Sequence, residues 1–290
     1  MTVRRFLLFA LFAVAGYVAI SVGYFAVTQR EAYAIARIRG LEIDHLLGPA
    51  DINEAGNFGE DFDVTANSHV ILRFADRLYQ AGATEPVAPL AIKGAMPHSI
   101  AIDSSDTLLA VAAGYFGVLN ADGEVVQGVP LPYDDARLAR SVDGSAVYLF
   151  GGKDRNYRLY RFLEQGRFQV LLESDVPIRA VTDTRSAIYL ATDSYIARLD
   201  TPAPRLMFRA PNEAGWGRIV SLAASDDDLL FFSTEKRVYA WHRGVALSII
   251  NDSGGALRVR GDKLFVLDHK RQLLYAAHPA SRALFPGAGP

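Results

Sequence analysis

The sequence contains no cysteine among its 290 residues, so disulfides and thiolate metal sites are both excluded. It also lacks a surplus of either charge, because 30 Lys and Arg residues stand against 32 Asp and Glu residues, for a formal net charge of −2. Binding to the phosphate backbone of a nucleic acid needs a basic surface, which this balance disfavours. No nucleic-acid partner is therefore predicted.

Motifs that mark common enzyme sites are also missing. The six histidines include no pair four residues apart and no H-E-x-x-H, so they predict no local zinc site. There is no G-x-S-x-G nucleophile motif, and the stretch Gly151-Gly152-Lys153 lacks the rest of a phosphate-binding loop. The sequence predicts no catalytic residue, no metal ligand and no cofactor.

One long uncharged run, residues 6–27, is present near the start of the chain. At the rise of an α-helix it is long enough to cross a hydrocarbon core of ~30 Å, which predicts a single transmembrane helix within an anchor segment, 1–27. The alternative is a cleaved secretory peptide, because Ala32-Tyr33-Ala34 has the small-x-small form of a cleavage site. The run is longer than the apolar part of a usual signal peptide, which favours a retained signal anchor.

Basic residues flank this run on both sides, so counting them leaves the orientation open. Arg4 and Arg5 precede it, and Arg30, Arg37 and Arg39 follow it. The short positive N-terminus resembles that of a signal anchor. We expect a single-pass protein of the inner membrane, with its N-terminus in the cytoplasm and the rest of the chain in the periplasm or outside the cell.

Residues 28–61 are predicted to connect this anchor to a folded domain. Their first part, up to Leu47, carries apolar residues at roughly helical spacing, which favours a helical stalk. These residues are Ala32, Ile35, Ile38, Ile43 and Leu47. The second part is rich in Asp and Glu and has no Lys or Arg, which favours an extended acidic linker.

Residues 62–290 contain a repeat of short apolar strands separated by Asp, Ser and Gly turns. The second strand of each unit recurs roughly every 40 residues, a spacing typical of four-stranded propeller blades. These strands start near Val70, Leu108, Val147, Ile188, Leu229 and Leu264. The predicted fold is all-β, a six-bladed β-propeller, in which ring closure recruits the segment 62–65 into the first or last blade.

Two stretches, MPHSIAIDSSDTLLAV from Met96 and GRIVSLAASDDDLLFFSTEKRVYAWH from Gly217, resemble blades of the NHL and gluconolactonase-like superfamily and of surface-layer propeller repeats. The resemblance implies six blades over about 220 residues. Gluconolactonase-like enzymes hold a divalent metal in the channel through Glu, Asn and Asp residues of separate blades. No set of carboxylates occupies the segments that enter the innermost strands of the later five units. The recurring Asp103, Asp143, Asp183 and Asp226 are expected in the turns after those strands, where an aspartate bonds its own backbone.

Cations recur before the innermost strands instead, and we predict that they line a channel mouth able to bind a small anion. The predicted channel-mouth residues are His98, Arg137, Arg179, Arg218, Arg258 and Trp216, the last as an aromatic wall. The structural alternative is that the arginines tie the blades together through acidic loops.

The absence of a catalytic motif favours a membrane-anchored, non-enzymatic propeller that acts as a protein-interaction or assembly platform, with a protein partner. Two alternatives stay open, a metal-dependent lactonase-like hydrolase with a degenerate site and a binder of a small anionic ligand at the channel mouth.

Overall fold

Short apolar strands alternate with tight turns along most of the chain. The computed structural model describes residues 43–47, 61–74, 77–82, 87–131, 133, 135–163, 166–200, 203–210, 216–225, 229–242, 244–251, 254–268, 273–277 and 284–285. These residues form twenty-four strands in six four-stranded antiparallel sheets. All of them belong to one compact unit, Glu42–Pro290.

The strands follow one another regularly from blade to blade. The chain begins its described part with β1 (Ile43–Leu47). Blade 1 contains β2 (Asp61–Val64), β3 (Val70–Phe74), β4 (Arg77–Ala81) and β5 (Ala88–Leu90). Blade 2 contains β6 (Ser99–Ile102), β7 (Leu108–Ala112), β8 (Tyr115–Leu119) and β9 (Val125–Pro130). Blade 3 contains β10 (Arg137–Arg140), β11 (Val147–Lys153), β12 (Asn156–Leu163) and β13 (Arg167–Ser174).

The later blades repeat this order. Blade 4 contains β14 (Ala180–Asp183), β15 (Ile188–Ala191), β16 (Tyr195–Asp200) and β17 (Ala203–Arg209). Blade 5 contains β18 (Ile219–Ala224), β19 (Leu230–Thr234), β20 (Arg237–His242) and β21 (Val245–Asn251). Blade 6 contains β22 (Gly255–Arg260), β23 (Lys263–Asp268) and β24 (Leu273–Ala277), and its fourth strand is β1.

The first strand of each blade is the innermost, and these six strands form a closed ring. β2 contacts β6, and the contacts continue through β10, β14, β18 and β22 back to β2. The predicted six-bladed propeller is therefore confirmed, and the segment predicted to be recruited for closure forms the innermost strand of blade 1.

The end of the predicted helical stalk is a strand, which corrects that part of the prediction. β1 pairs antiparallel with β24, from Ile43 opposite Ala277 to Leu47 opposite Leu274. Without β1, the edge of β24 would leave its backbone groups unpaired, and this pairing outweighs the helical spacing of a few apolar residues. The rest of the stalk and the acidic linker up to residue 60 lie outside the described residues.

The predicted transmembrane segment, 6–27, also lies outside the described residues. Within the described part of the chain, no helix is long and apolar enough to cross a membrane.

The hydrophobic core lies between the blades. One cluster joins the first and last blades through Phe62, Leu72, Phe265 and Leu274, all almost fully buried. Other clusters join blades 1 and 2, 2 and 3, 3 and 4, and 4 and 5. Because each buried side chain of this size contributes roughly 1.5–3 kcal/mol, every blade depends on its neighbours for its stability.

A β-bulge recurs where the third and fourth strands of several blades pair. It falls at Leu159/Tyr160 in blade 3, Ile196/Ala197 in blade 4 and Val238/Tyr239 in blade 5. A bulge bends its strand and increases the local twist, which suits the strongly twisted sheets of a propeller.

Candidate functional site

The innermost strands all begin at the same end of the channel, and the sequence predicts that this end is the channel mouth. Arg179 lies just before β14 and donates to Asp193 in the turn between β15 and β16, with Nε 2.7 Å from Oδ1. One blade further, Arg218 lies just before β18, and its Nη2 is 2.6 Å from Oε1 of Glu235. Both arginines therefore have an acidic partner within their own blade.

Asp193 also acts across the blade boundary. Its backbone carbonyl accepts a hydrogen bond from the N–H of Ile219, at 2.9 Å. The pKa of Arg218 is raised by its hydrogen bond to Glu235 and by the negative charges of Glu235 and Asp193. Arg179, Asp193, Arg218 and Glu235 thus form a row of alternating charges across blades 4 and 5, rather than an uncompensated basic surface.

The other predicted mouth residues have separate surroundings. His98 donates through Nε2 to the carbonyl of Ala136 at 2.7 Å, which links blades 2 and 3. Arg137 is exposed and has no partner among the described residues. Trp216 stacks on Tyr239, with ring centroids 4.6 Å apart and an interplanar angle of 4°.

Arg258 lies deeper than the sequence pattern suggested. It is the fourth residue of β22, and its Nη2 donates to Oδ1 of Asp61 in blade 1 at 2.8 Å. Its guanidinium also lies over the Phe62 ring, 5.4 Å from the centroid. Arg258 therefore ties the last blade to the first, through an aspartate of an innermost strand and not through an acidic loop.

Sequence reasoning missed the charged residues at the centre of the channel. Asp61 and Asp63 alternate with buried apolar residues on β2, and Asp63 is fully buried. Both Asp63 oxygens accept from Nε of Arg140 at 3.1 Å, and Oδ2 also accepts from the N–H of Ile102 at 2.7 Å. The D-F-D-V alternation is the signal that the sequence offers, but it directly follows an acidic segment and resembles its continuation.

Arg140 connects three blades. From the end of β10 in blade 3, it reaches Asp63 in blade 1 and donates through Nη2 to the carbonyl of Val259 in blade 6 at 3.0 Å. Its Nη1 donates to the carbonyls of Ser141 and Val142 at 3.2 and 3.3 Å. We call Asp61, Asp63, Arg140 and Arg258 the channel network.

A second carboxylate joins blades 3 and 4. Asp183 accepts from the Tyr148 hydroxyl at 2.6 Å and from the N–H of Val142 at 2.9 Å. Burial raises the pKa of Asp183, against the lowering effect of these two hydrogen bonds. By contrast, Asp103 and Asp143 bond the backbone of their own turns, at Ser105 and Ser145, as predicted.

The metal implied by the family resemblance does not fit the described residues. A divalent cation requires carboxylate oxygens that are free to coordinate it. The channel carboxylates, Asp61 and Asp63, are instead engaged by Arg258 and Arg140. No group of three or more His, Asp or Glu residues suited to a metal occurs in the part of the chain that the structure describes.

Solved structures with the same fold include three named proteins. A gluconolactonase from Xanthomonas campestris is 15% identical with a TM-score of 0.59, and the match covers 78% of this chain and 87% of that one. A luciferin-regenerating enzyme is 10% identical with a TM-score of 0.64, over 82% of this chain and 95% of that one. Virginiamycin B lyase from Staphylococcus aureus is 13% identical with a TM-score of 0.56, over 78% and 82%.

These likenesses define a fold class. The chain is a six-bladed β-propeller of the architecture seen in gluconolactonase-like proteins. No protein-family model matches the sequence, and no curated protein matches it. At such low identity the likeness extends to the fold alone.

Proposed function

We propose that this protein is a non-enzymatic β-propeller that is anchored in the inner membrane and serves as a protein-interaction or assembly platform in the periplasm or outside the cell. The observation that carries this proposal is the channel network. It uses the central carboxylates to hold blades 1, 3 and 6 together, so that they support the ring instead of a reaction. The anchor is the uncharged run 6–27, which is long enough to span a bilayer.

The platform surface in this proposal is the channel mouth. Exposed Arg137 begins the innermost strand of blade 3, the blade before the row formed by Arg179, Asp193, Arg218 and Glu235. This row offers alternating charges to a protein of complementary pattern. Such pairs contribute little to the stability of the ring when they are exposed, so they are available for recognition.

Site-specific crosslinking of the full-length chain in cells tests this function. A photoreactive residue at Arg137 should give a discrete adduct with one protein, whereas one at Val170, exposed on β13, should not. A paired variant, Arg218→Glu with Glu235→Arg, keeps the ion pair but reverses its charges and should abolish the adduct. Equal adducts at both positions that survive the reversal would contradict a specific platform.

Reporter fusions test the anchor and its orientation. A C-terminal fusion to a reporter that is active only after export should be active, and the mature chain should retain residues 6–27. Activity confined to the cytoplasm would contradict the orientation, and a mature chain that starts near Ile35 would indicate a cleaved peptide.

The fold neighbours favour a second candidate, a lactonase-like hydrolase, because two of those compared carry the names gluconolactonase and luciferin-regenerating enzyme. A panel of lactones assayed with added divalent ions separates the candidates. The platform proposal predicts no turnover above the Arg140→Met variant, which disrupts the channel network. The hydrolase would be supported if the parent protein turned over a lactone and the Arg140→Met variant did not, provided that the variant is still folded.

A further inference from the structure

A small cavity lies in the channel beside Arg140 and Arg258. Its volume is about 30 Å³, enough for one water-sized group. The innermost strands of blades 3 to 6 form its wall. The polar residues that line it are Arg140, Ser141, Thr182 and Arg258. Asp61 and Asp63 do not line it.

Arg258 brings unused donors to this cavity. Its Nη1 donates to the Leu257 carbonyl at 2.9 Å, and its Nη2 donates to Asp61. Its Nε lies 3.9 Å from Oδ1 of Asp63, too far for a hydrogen bond. A guanidinium has five N–H groups, so three of those on Arg258 have no acceptor among the described residues.

Arg140 and Thr182 add further donors. The second N–H of Nη2 on Arg140 has no acceptor in the described part of the chain, since the first bonds Val259. Thr182 is 95% buried at 5% exposure, and its hydroxyl makes no hydrogen bond with any described residue. A group that accepts hydrogen bonds would therefore complement the donors that line this cavity.

The electrostatics favour an acceptor that carries negative charge. Burial and the positive charge of Arg140 lower the pKa of nearby Arg260, against the opposite effect of Asp63, Asp106 and Asp103. Arg140 lines the cavity together with Arg258, whereas Asp61 and Asp63 do not, so the charged side chains of its wall are positive. N–H donors on charged groups bind an anion more strongly than they bind a neutral acceptor.

We propose that the channel cavity binds one small monovalent anion, held by N–H groups of Arg258 and Arg140 and by the hydroxyl of Thr182. The cavity admits a single halide or the carboxylate head of a larger ligand, since both present a compact negative acceptor. This site lies deeper than the channel mouth and does not depend on the platform function.

Bromide replaces chloride and can be located directly, so it is the probe. Crystals of the full chain grown in sodium bromide should show an anomalous bromide peak in the cavity, within hydrogen-bonding distance of an N–H group of Arg258. Thermal unfolding should shift upward as bromide replaces fluoride at constant ionic strength, because a ligand that binds only the folded state stabilises it. Acetate in the same series tests the carboxylate head.

The variant Thr182→Val removes the hydroxyl while keeping the shape of the side chain, and should weaken bromide affinity about tenfold. Thr192→Val is the matched control, a buried threonine whose hydroxyl bonds a turn outside the cavity, and should keep the parental bromide response. Stabilisation by acetate that Thr182→Val weakens would support the same anion site with a carboxylate head as its occupant. Electron density without an anomalous signal, together with equal responses to bromide, acetate and fluoride in both variants, would overturn the proposal and assign the cavity to water.

Discussion

At the scale of single residues, Asp63 and Arg140 are the charged pair on which the ring depends most. Both are buried, and removing charges from water is costly unless each polar atom finds a partner. Here the carboxylate accepts from Arg140 and from a backbone N–H, and the guanidinium reaches backbone carbonyls of two blades. The cost is offset by contacts that exist only when blades 1, 3 and 6 are in place.

Replacing Asp63 with Ala should destabilise the protein by about 3–5 kcal/mol, because Arg140 is left as an unpaired buried charge. The control is Glu173→Ala, which breaks the ion pair between exposed Glu173 and Arg158 and should have a much smaller effect, because solvent screens this pair. Denaturant unfolding of the full chain in detergent measures both. Similar losses in the two variants would show that the channel network does not hold the ring.

Asp143 gives a pH dependence of known sign. Hydrogen bonds from Ser141 and Ser145 lower its pKa from 3.8 to about 2, so the folded state favours the charged form. Its contribution is complete above the ordinary pKa and is lost as the pH falls toward about 2. The melting-temperature difference between the parent and Asp143→Asn should therefore be largest at neutral pH and shrink on acidification below about pH 4.

Asp183 supplies the opposite control, because burial raises its pKa and the folded state then favours the protonated form. As the pH falls, the melting temperature of the parent should therefore rise relative to that of Asp183→Asn. Melting curves of the parent and of both variants between neutral and acidic pH test this. If acidification changes the melting temperature of the parent relative to Asp143→Asn and relative to Asp183→Asn in the same direction, the opposite pKa shifts of Asp143 and Asp183 are wrong.

The sequence could reveal recurring arginines, but not their partners. Arg179 and Arg218 stand out because they precede successive innermost strands, yet their acids, Asp193 and Glu235, lie in a different turn that is brought close only by the fold of the blade. Arg140 pairs with Asp63 across 77 positions of the chain. A local sequence pattern cannot indicate a pair so far apart in the chain, because only the closure of the ring brings the two residues together.

At the scale of elements, strands with alternating or continuous apolar residues were predictable. The repeat correctly places the second strands that start at Val70 and Val147. Their apolar residues pack between blades, so the local pattern is enough to predict them. β1 was not predictable from its own five residues, which suit either a helix or a strand. Its state is decided by the open edge of β24.

Proline tests the closing function of β1. In an antiparallel pair, N–H groups of successive residues point to opposite sides of the strand, so one of Asp44 and His45 donates toward β24. Replacing each with Pro in turn should destabilise blade 6 in one variant, because proline removes that donor, and should have a smaller effect in the other.

Hydrogen exchange of the β24 amides is the measurement, and Val245→Pro at the start of the outermost strand of blade 5 is the control. It should leave exchange in β24 at the parental rate. If neither β1 variant accelerates exchange in β24, β1 does not close the ring.

At the scale of the whole molecule, closure is achieved twice. β1 completes blade 6 at its outer edge, and Asp61 and Asp63 of blade 1 bind arginines of blades 6 and 3 at the centre. The fold resembles that of gluconolactonase-like proteins, but its central carboxylates are engaged by the chain's own cations. Carboxylates that are held by arginines cannot also coordinate a metal, which favours a platform over a metal-dependent enzyme.

Metal analysis combined with thermal unfolding shows whether the channel holds a divalent ion. The full chain, purified without chelators, should contain far less than one divalent ion per molecule, and its melting temperature should not change when calcium, manganese or zinc is added or when a chelator is present. A stoichiometric divalent ion whose removal lowers the melting temperature would contradict the claim that the channel carboxylates are engaged by Arg140 and Arg258 and not by a metal.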